Sequence, residues 1–128
     1  MRRMIAATLL GMGGLLLLGA IAQAAEPSVM RVLVVQPADL KAYVHELSVA
    51  DSILKKAGVA GTVRAWQAQF AGEDAGTVVV QLEFANLSAL AHYYEATRSN
   101  AELAAELGKI VTMRKVISDS LFQELTPK

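Results

Sequence analysis

The chain has 128 residues and no cysteine, and its twelve Lys and Arg are matched by twelve Asp and Glu. Disulfides, thiol catalysis and cysteine-based metal sites are thereby excluded, so stability must come from packing alone. Nucleic acid is not an expected partner, because counterion release needs clustered Lys and Arg, and Lys55-Lys56 and Arg114-Lys115 are only pairs.

The chain opens on a cationic Met1-Arg2-Arg3-Met4, followed by an apolar run from Ile5 to Ala22 and then Ala22-Gln23-Ala24-Ala25. Small residues at Ala22 and Ala24 fit the small-x-small pattern that precedes signal-peptidase cleavage. The expectation is a signal peptide over residues 1–24 and an exported product, periplasmic or extracellular, with no membrane attachment after cleavage. The competing reading is a membrane anchor. The run is near the lower limit of about 18–20 residues for a bilayer span, and Gly11, Gly13, Gly14 and Gly19 weaken it as a lasting helix. Residues 25–128 then form a single domain. Without Arg2 and Arg3, ten basic side chains stand against twelve acidic ones, a net charge of −2.

Val29–Gln36, with the β-branched run Val32–Val35 closed by Pro37, predicts a strand buried on both faces. Leu40, Tyr43, Val44, Leu47 and Leu54 recur at helical spacing and predict a helix over residues 38–57. Asp39 is placed to cap it, Lys55-Lys56 suit its C-terminal dipole, and Gly58 is its stop. Thr62–Phe70 and Thr77–Phe84 alternate as strands and should form a hairpin with a loop of four to six residues across 71–76. Asn86-Leu87-Ser88 matches a glycosylation acceptor and is read as a helix cap instead, with Leu87, Leu90, Ala91 and Tyr94 as the stripe that follows. Ser99-Asn100-Ala101-Glu102 matches a capping box, so a break and a new helix are expected there, continuing through Leu103, Leu107 and Ile110. Val116–Leu125 closes the chain as a last strand.

This order is α+β, a ferredoxin-like βαββαβ arrangement. It calls for a four-stranded antiparallel sheet with the helices on one face. The other face would carry some of Leu33, Val35, Val79, Ile117 and Leu121. Leaving several such side chains wet forfeits several kcal/mol at roughly 25 cal/mol per Å². A homodimer through that face would cover them.

Across nearly all of residues 25–128 the chain resembles the dimeric α+β barrel superfamily, which includes antibiotic-biosynthesis monooxygenase-like and NIPSNAP-like proteins. The resemblance rests on Lys55-Lys56-Ala57-Gly58 leading into Arg64-Ala65-Trp66, on Val78-Val79-Val80-Gln81-Leu82-Glu83-Phe84, on Ser88–Tyr94, and on Asn100-Ala101-Glu102-Leu103. It implies two sheets packed face to face in a homodimer. Fold likeness does not assign chemistry. Haem-degrading members are similar in topology only. Their late-helix histidine, third-strand tryptophan and first-strand asparagine have no counterparts in Glu102–Lys109, Phe84 and Gln36.

The candidate ligand-binding wall is Arg64, Trp66, Gln81 and Glu83, which alternate onto one face of neighbouring strands. If that face is interior, Arg64 and Glu83 would form a buried ion pair, and Trp66 either lines a cavity or fills a core. His45 and His92 fall on polar helix faces, without the spacing of a metal site. Ser118 and Ser120 face away from Asp119, and no triad forms around them. No phosphate-cradling glycine pattern is present. No cofactor or metal is implied, and no catalytic residue is assigned. The expected function is an exported dimeric barrel that holds a small apolar or aromatic ligand between the sheets. A cofactor-independent monooxygenase-like enzyme and a purely structural dimer are the alternatives.

Overall fold

The structure, a computed structural model, describes residues 26–69 and 72–126. The expected signal peptide, residues 1–24, lies outside the described residues, as do Phe70 and Ala71. The elements run β1 (Val29–Pro37), α1 (Leu40–Lys56), β2 (Thr62–Gln67), β3 (Val78–Phe84), α2 (Leu87–Ser99), α3 (Ala101–Thr112) and β4 (Arg114–Gln123). The fold is α+β, and the described residues form one antiparallel sheet in the order β2-β3-β1-β4 and three helices.

Each helix starts at a side-chain cap. Asp39 Oδ1 accepts from the Ala42 N–H at 2.9 Å, Asn86 Oδ1 from Ala89 at 2.9 Å, and Asn100 Oδ1 from Leu103 at 3.0 Å. The third cap falls one residue later than the expected box. Ser99 is still the last residue of α2, and its hydroxyl donates back to the Glu95 carbonyl at 3.0 Å. Asn100 therefore ends one helix and begins the next. The end of α1 is also set locally. Gly58 adopts φ +71°, its N–H reaches the Lys55 carbonyl, and the Val59 N–H reaches the Leu54 carbonyl. This paired closure satisfies carbonyls that the helix leaves open and turns the buried Val59 under the sheet edge.

Alternation decides which sheet face is covered. In β3, Val78, Val80, Leu82 and Phe84 are buried, whereas Val79, Gln81 and Glu83 are half-buried. Register places Leu33 opposite Val80 and Val35 opposite Val78, so the buried residues of β1 share that face. Tyr43, Ala50, Ile53 and Leu54 of α1, Leu90, Tyr93 and Ala96 of α2, and Leu103 and Ile110 of α3 complete the core. Tyr43, Val35 and Leu103 are fully buried.

Several expectations shift. β1 is buried on one face only, and Met30, Val32 and Val34 on its other face are half-buried. Leu33 and Val35 belong to the helix-covered side. The uncovered face instead carries Val32, Val34 and Val79 with the exposed Trp66 and Phe122. Leu121 lies in register with Arg31 on the helix side but is 54% exposed, because β4 is an edge strand that the helices do not cover. β2 stops at Gln67 rather than Phe70, and residues 68–77 make a longer connection than expected, holding a short 3-10 turn at Gly72–Asp74. Two further backbone bonds, Ala68 N–H to Thr77 O and Gly76 N–H to Ala68 O, prolong the hairpin beyond the strand ends.

Candidate functional site

The expected wall assembles on the uncovered sheet face. Arg64 stands opposite Gln81, Trp66 opposite Val79, and Glu83 opposite Thr62. The Trp66 indole N–H donates to Gln81 Oε1 at 2.9 Å. Arg64 and Glu83 do not pair; the ion pairs among the described residues join Arg31 to Asp119, Lys55 to Asp51 and Lys109 to Glu46. In the single chain this wall is surface, and Trp66 is 54% exposed. Glu83 also borders a broad recess at one end of the sheet, with Met30, Thr62 and Phe122.

A partly open space lies on the other side, between the sheet and the helices. It is a cavity of about 190 Å³. Leu33, Val80 and Leu82 form its floor, and Ala50, Leu54 and Ile110 its roof. Val111, 61% exposed, stands at the rim. Three residues bring polarity to this apolar lining: Arg31 from β1, Tyr93 from α2 and Arg114 from β4.

Arg31 sits on the covered face of β1, in the same alternation as Val29, Leu33 and Val35. A charge there needs a partner, and Asp119 supplies one. Nε donates to Oδ1 at 2.9 Å and Nη2 to Oδ2 at 2.6 Å, a two-pronged pair with the guanidinium also 5.8 Å from the Tyr94 ring centre. The pair pushes the Arg31 pKa up and holds the Asp119 carboxyl below its usual value. Burial raises the Tyr93 phenol, which keeps it protonated at neutral pH.

Arg114 reaches the cavity through a break in strand register. From Val29 to Val34, β1 pairs residue by residue with Gln123 to Ser118, but Val35 pairs with Val116, leaving Ile117 as the extra residue of a bulge. A one-residue shift exchanges the faces of everything beyond it. The bulge thus sets Arg114 opposite Pro37 on the covered face, where an unbroken ladder would have put Lys115. Arg114 Nη1 donates to the Tyr43 hydroxyl at 2.7 Å, with the guanidinium 5.9 Å from that ring centre. Its Nε is buried and has no hydrogen-bond partner among the described residues.

None of the lining residues is a carboxylate, histidine or serine. The cavity therefore offers cations, a neutral phenol and apolar surface, which suit binding, and no side chain suited to act as a general base at neutral pH. His45 and His92 are exposed on α1 and α2. Among the described residues no group of three or more His, Cys, Asp or Glu is arranged to hold a metal ion, and no helix is long and apolar enough to cross a membrane.

A second titratable cluster joins α1 to α3. Glu46 is buried and accepts from Lys109 Nζ at 2.6 Å. Glu106 lies beside it, and its Oε1 is buried without a donor. The contact with Glu46 raises the Glu106 pKa, and the contacts with Glu106 and then Lys109 lower that of Glu46.

Compared with known proteins, the chain matches no protein-family model, no curated protein and no solved structure. The reading of its function therefore rests on these side chains. Sequence reasoning missed the cavity residues for two reasons. Arg31 had a usable signal, a cation in phase with the buried positions of an apolar strand. Arg114 had none, since the bulge that aims it is not visible in residue pattern.

Proposed function

We propose that this is an exported protein with a ferredoxin-like fold of the dimeric-barrel kind, and that it binds a small, largely apolar molecule in the cavity between its sheet and helices. The observation that carries the reading is the 190 Å³ cavity itself, apolar over most of its lining and polar only at Arg31, Tyr93 and Arg114. Sites of this composition use apolar surface for affinity and a few polar groups for orientation. Native mass spectrometry of protein taken from the exported fraction of its own cells tests this. A retained small molecule, lost on denaturation, supports binding. A bare chain that also ignores added aromatic and aliphatic probes refutes it.

Homodimerisation through the uncovered sheet face is part of the same reading. The strand order β2-β3-β1-β4 and the apolar Val32, Val34, Val79, Trp66 and Phe122 on that face support it. Arg64, Trp66, Gln81 and Glu83 then lie in the space between two sheets rather than around the ligand cavity. Sedimentation velocity at micromolar concentration should give a dimer that Val79→Asp converts to monomer, and a wild-type monomer would remove the barrel. Export rests on Arg2, Arg3 and the Ala22-Gln23-Ala24 pattern, and N-terminal sequencing should find a chain beginning at or next to Ala25.

A further inference from the structure

We infer that the cavity takes a small organic monoanion, a single ring or short chain ending in a carboxylate, and that Arg114 holds the carboxylate. The inference rests on the cavity being a ligand site, and it names what that ligand must carry.

The argument starts from charge. Two guanidiniums line the cavity, but they are not equivalent. Arg31 is engaged on two nitrogens by Asp119, so its charge is already offset. Arg114 pairs with no carboxylate among the described residues. Its side-chain hydrogen bond among the described residues goes to the neutral Tyr43 hydroxyl, through Nη1. That leaves Nε buried with no acceptor, and a buried donor without a partner is unfavourable. Nε has almost no accessible surface in this geometry, so it meets a ligand oxygen only if the Arg114 side chain turns toward the pocket that it lines. An anionic oxygen is then the best acceptor, because charge-assisted hydrogen bonds are about twice as strong as neutral ones.

The rest of the lining limits the ligand. Apart from Arg31, Tyr93 and Arg114 the walls are aliphatic, so the remainder of the molecule must be apolar. An apolar cavity of about 150 Å³ holds benzene, so 190 Å³ leaves room for one ring and a short substituent. One negative charge balances the site, because the two guanidiniums stand against Asp119, the one carboxylate that acts on both.

Calorimetric titration of the full exported chain at neutral pH tests this with phenylacetate and hexanoate, each against its uncharged amide. The acids should bind at least tenfold more tightly than phenylacetamide and hexanamide. Arg114→Gln should abolish that preference, and Arg114→Lys, which keeps the charge and loses Nε, should restore only part of it. Equal wild-type affinity for acid and amide overturns the monoanion while leaving a cavity that binds apolar molecules. No binding of any of the four overturns the cavity reading, and this inference with it. The wild-type comparison decides the matter even if the Arg114 variants do not fold.

Discussion

Ala50→Leu separates a cavity kept open for a ligand from one that is an accident of packing. Ala50 is 5% exposed on α1, between Leu47 and Leu54, and its methyl faces the 190 Å³ space. Leucine adds three carbons. At about 0.8 kcal/mol for each buried methylene, transfer contributes roughly 2.4 kcal/mol. Freezing the new side chain costs about 0.5–1 kcal/mol, and leucine's helix propensity is close to alanine's. The net gain is about 1.5 kcal/mol. For a domain near 100 residues each kcal/mol moves the melting temperature by roughly 4–8 °C, so the variant should melt roughly 6–12 °C higher. Urea unfolding followed by circular dichroism, at one fixed protein concentration, should show a raised midpoint with an unchanged slope. The same variant should lose phenylacetate binding, a gain in stability obtained by removing the site. A loss of more than about 1 kcal/mol would mean that leucine overpacks a space already filled. Higher stability with undiminished binding would place the ligand elsewhere.

Three further outcomes follow from local geometry. Asn100→Ala removes the cap of α3 at the corner where α2 ends, and should lower stability by about 1 kcal/mol in urea titration; no change would mean that neighbouring groups replace the cap. Gly61→Ala places a methyl 2.9 Å from the Phe84 ring on a residue at φ +153°, and should cost about 1–3 kcal/mol, visible as a lower thermal midpoint. Glu106→Gln should raise the melting temperature at neutral pH by a margin that shrinks as pH falls. Glu46 holds the Glu106 pKa above its ordinary 4.5, so the folded protein binds that proton more tightly than the unfolded chain. The contribution of Glu106 is complete below the ordinary value and is lost as pH rises through the raised one. Glutamine carries an amide donor beside Glu46 at every pH, and a wild-type-to-variant difference that is flat with pH would contradict the raised Glu106 pKa.

Much of the fold was legible because its signals are local. Asp39, Asn86 and Gly58 act where short-range chemistry places them. The alternation of Val78 to Phe84 was sufficient to assign the two faces of β3. Boundaries were less legible. Ser99 and Asn100 are both good caps, and only packing of the α2–α3 corner selects Asn100. The assignment of faces to β1 was wrong in a specific way. An unbroken Val32–Val35 run has no polar position to mark the outside, so nothing in it shows that Leu33 and Val35 point inward and Val32 and Val34 outward. Arg31 marks the phase, but it is itself on the covered side, against the usual rule that charge points to water.

That inversion ties the fold to its candidate function. A cation on the covered face of a central strand desolvates, so it must be matched, and Asp119 on the neighbouring strand matches it. The match depends on register, because Asp119 reaches Arg31 only while β1 and β4 pair as they do from Val29 to Val34. Beyond that stretch the bulge at Ile117 changes the parity and brings a second cation, Arg114, to the same side, where it makes no ion pair among the described residues but still acts on the Asp119 carboxylate. An unbroken strand would place Lys115 there instead, whose ammonium lacks the planar, multi-donor fork of a guanidinium. The structure therefore sets one guanidinium in a two-pronged ion pair and one with no ion pair among the described residues against the same apolar space. The acid-against-amide comparison reads this asymmetry directly, because Arg31 is held by a carboxylate and Arg114 by a neutral hydroxyl.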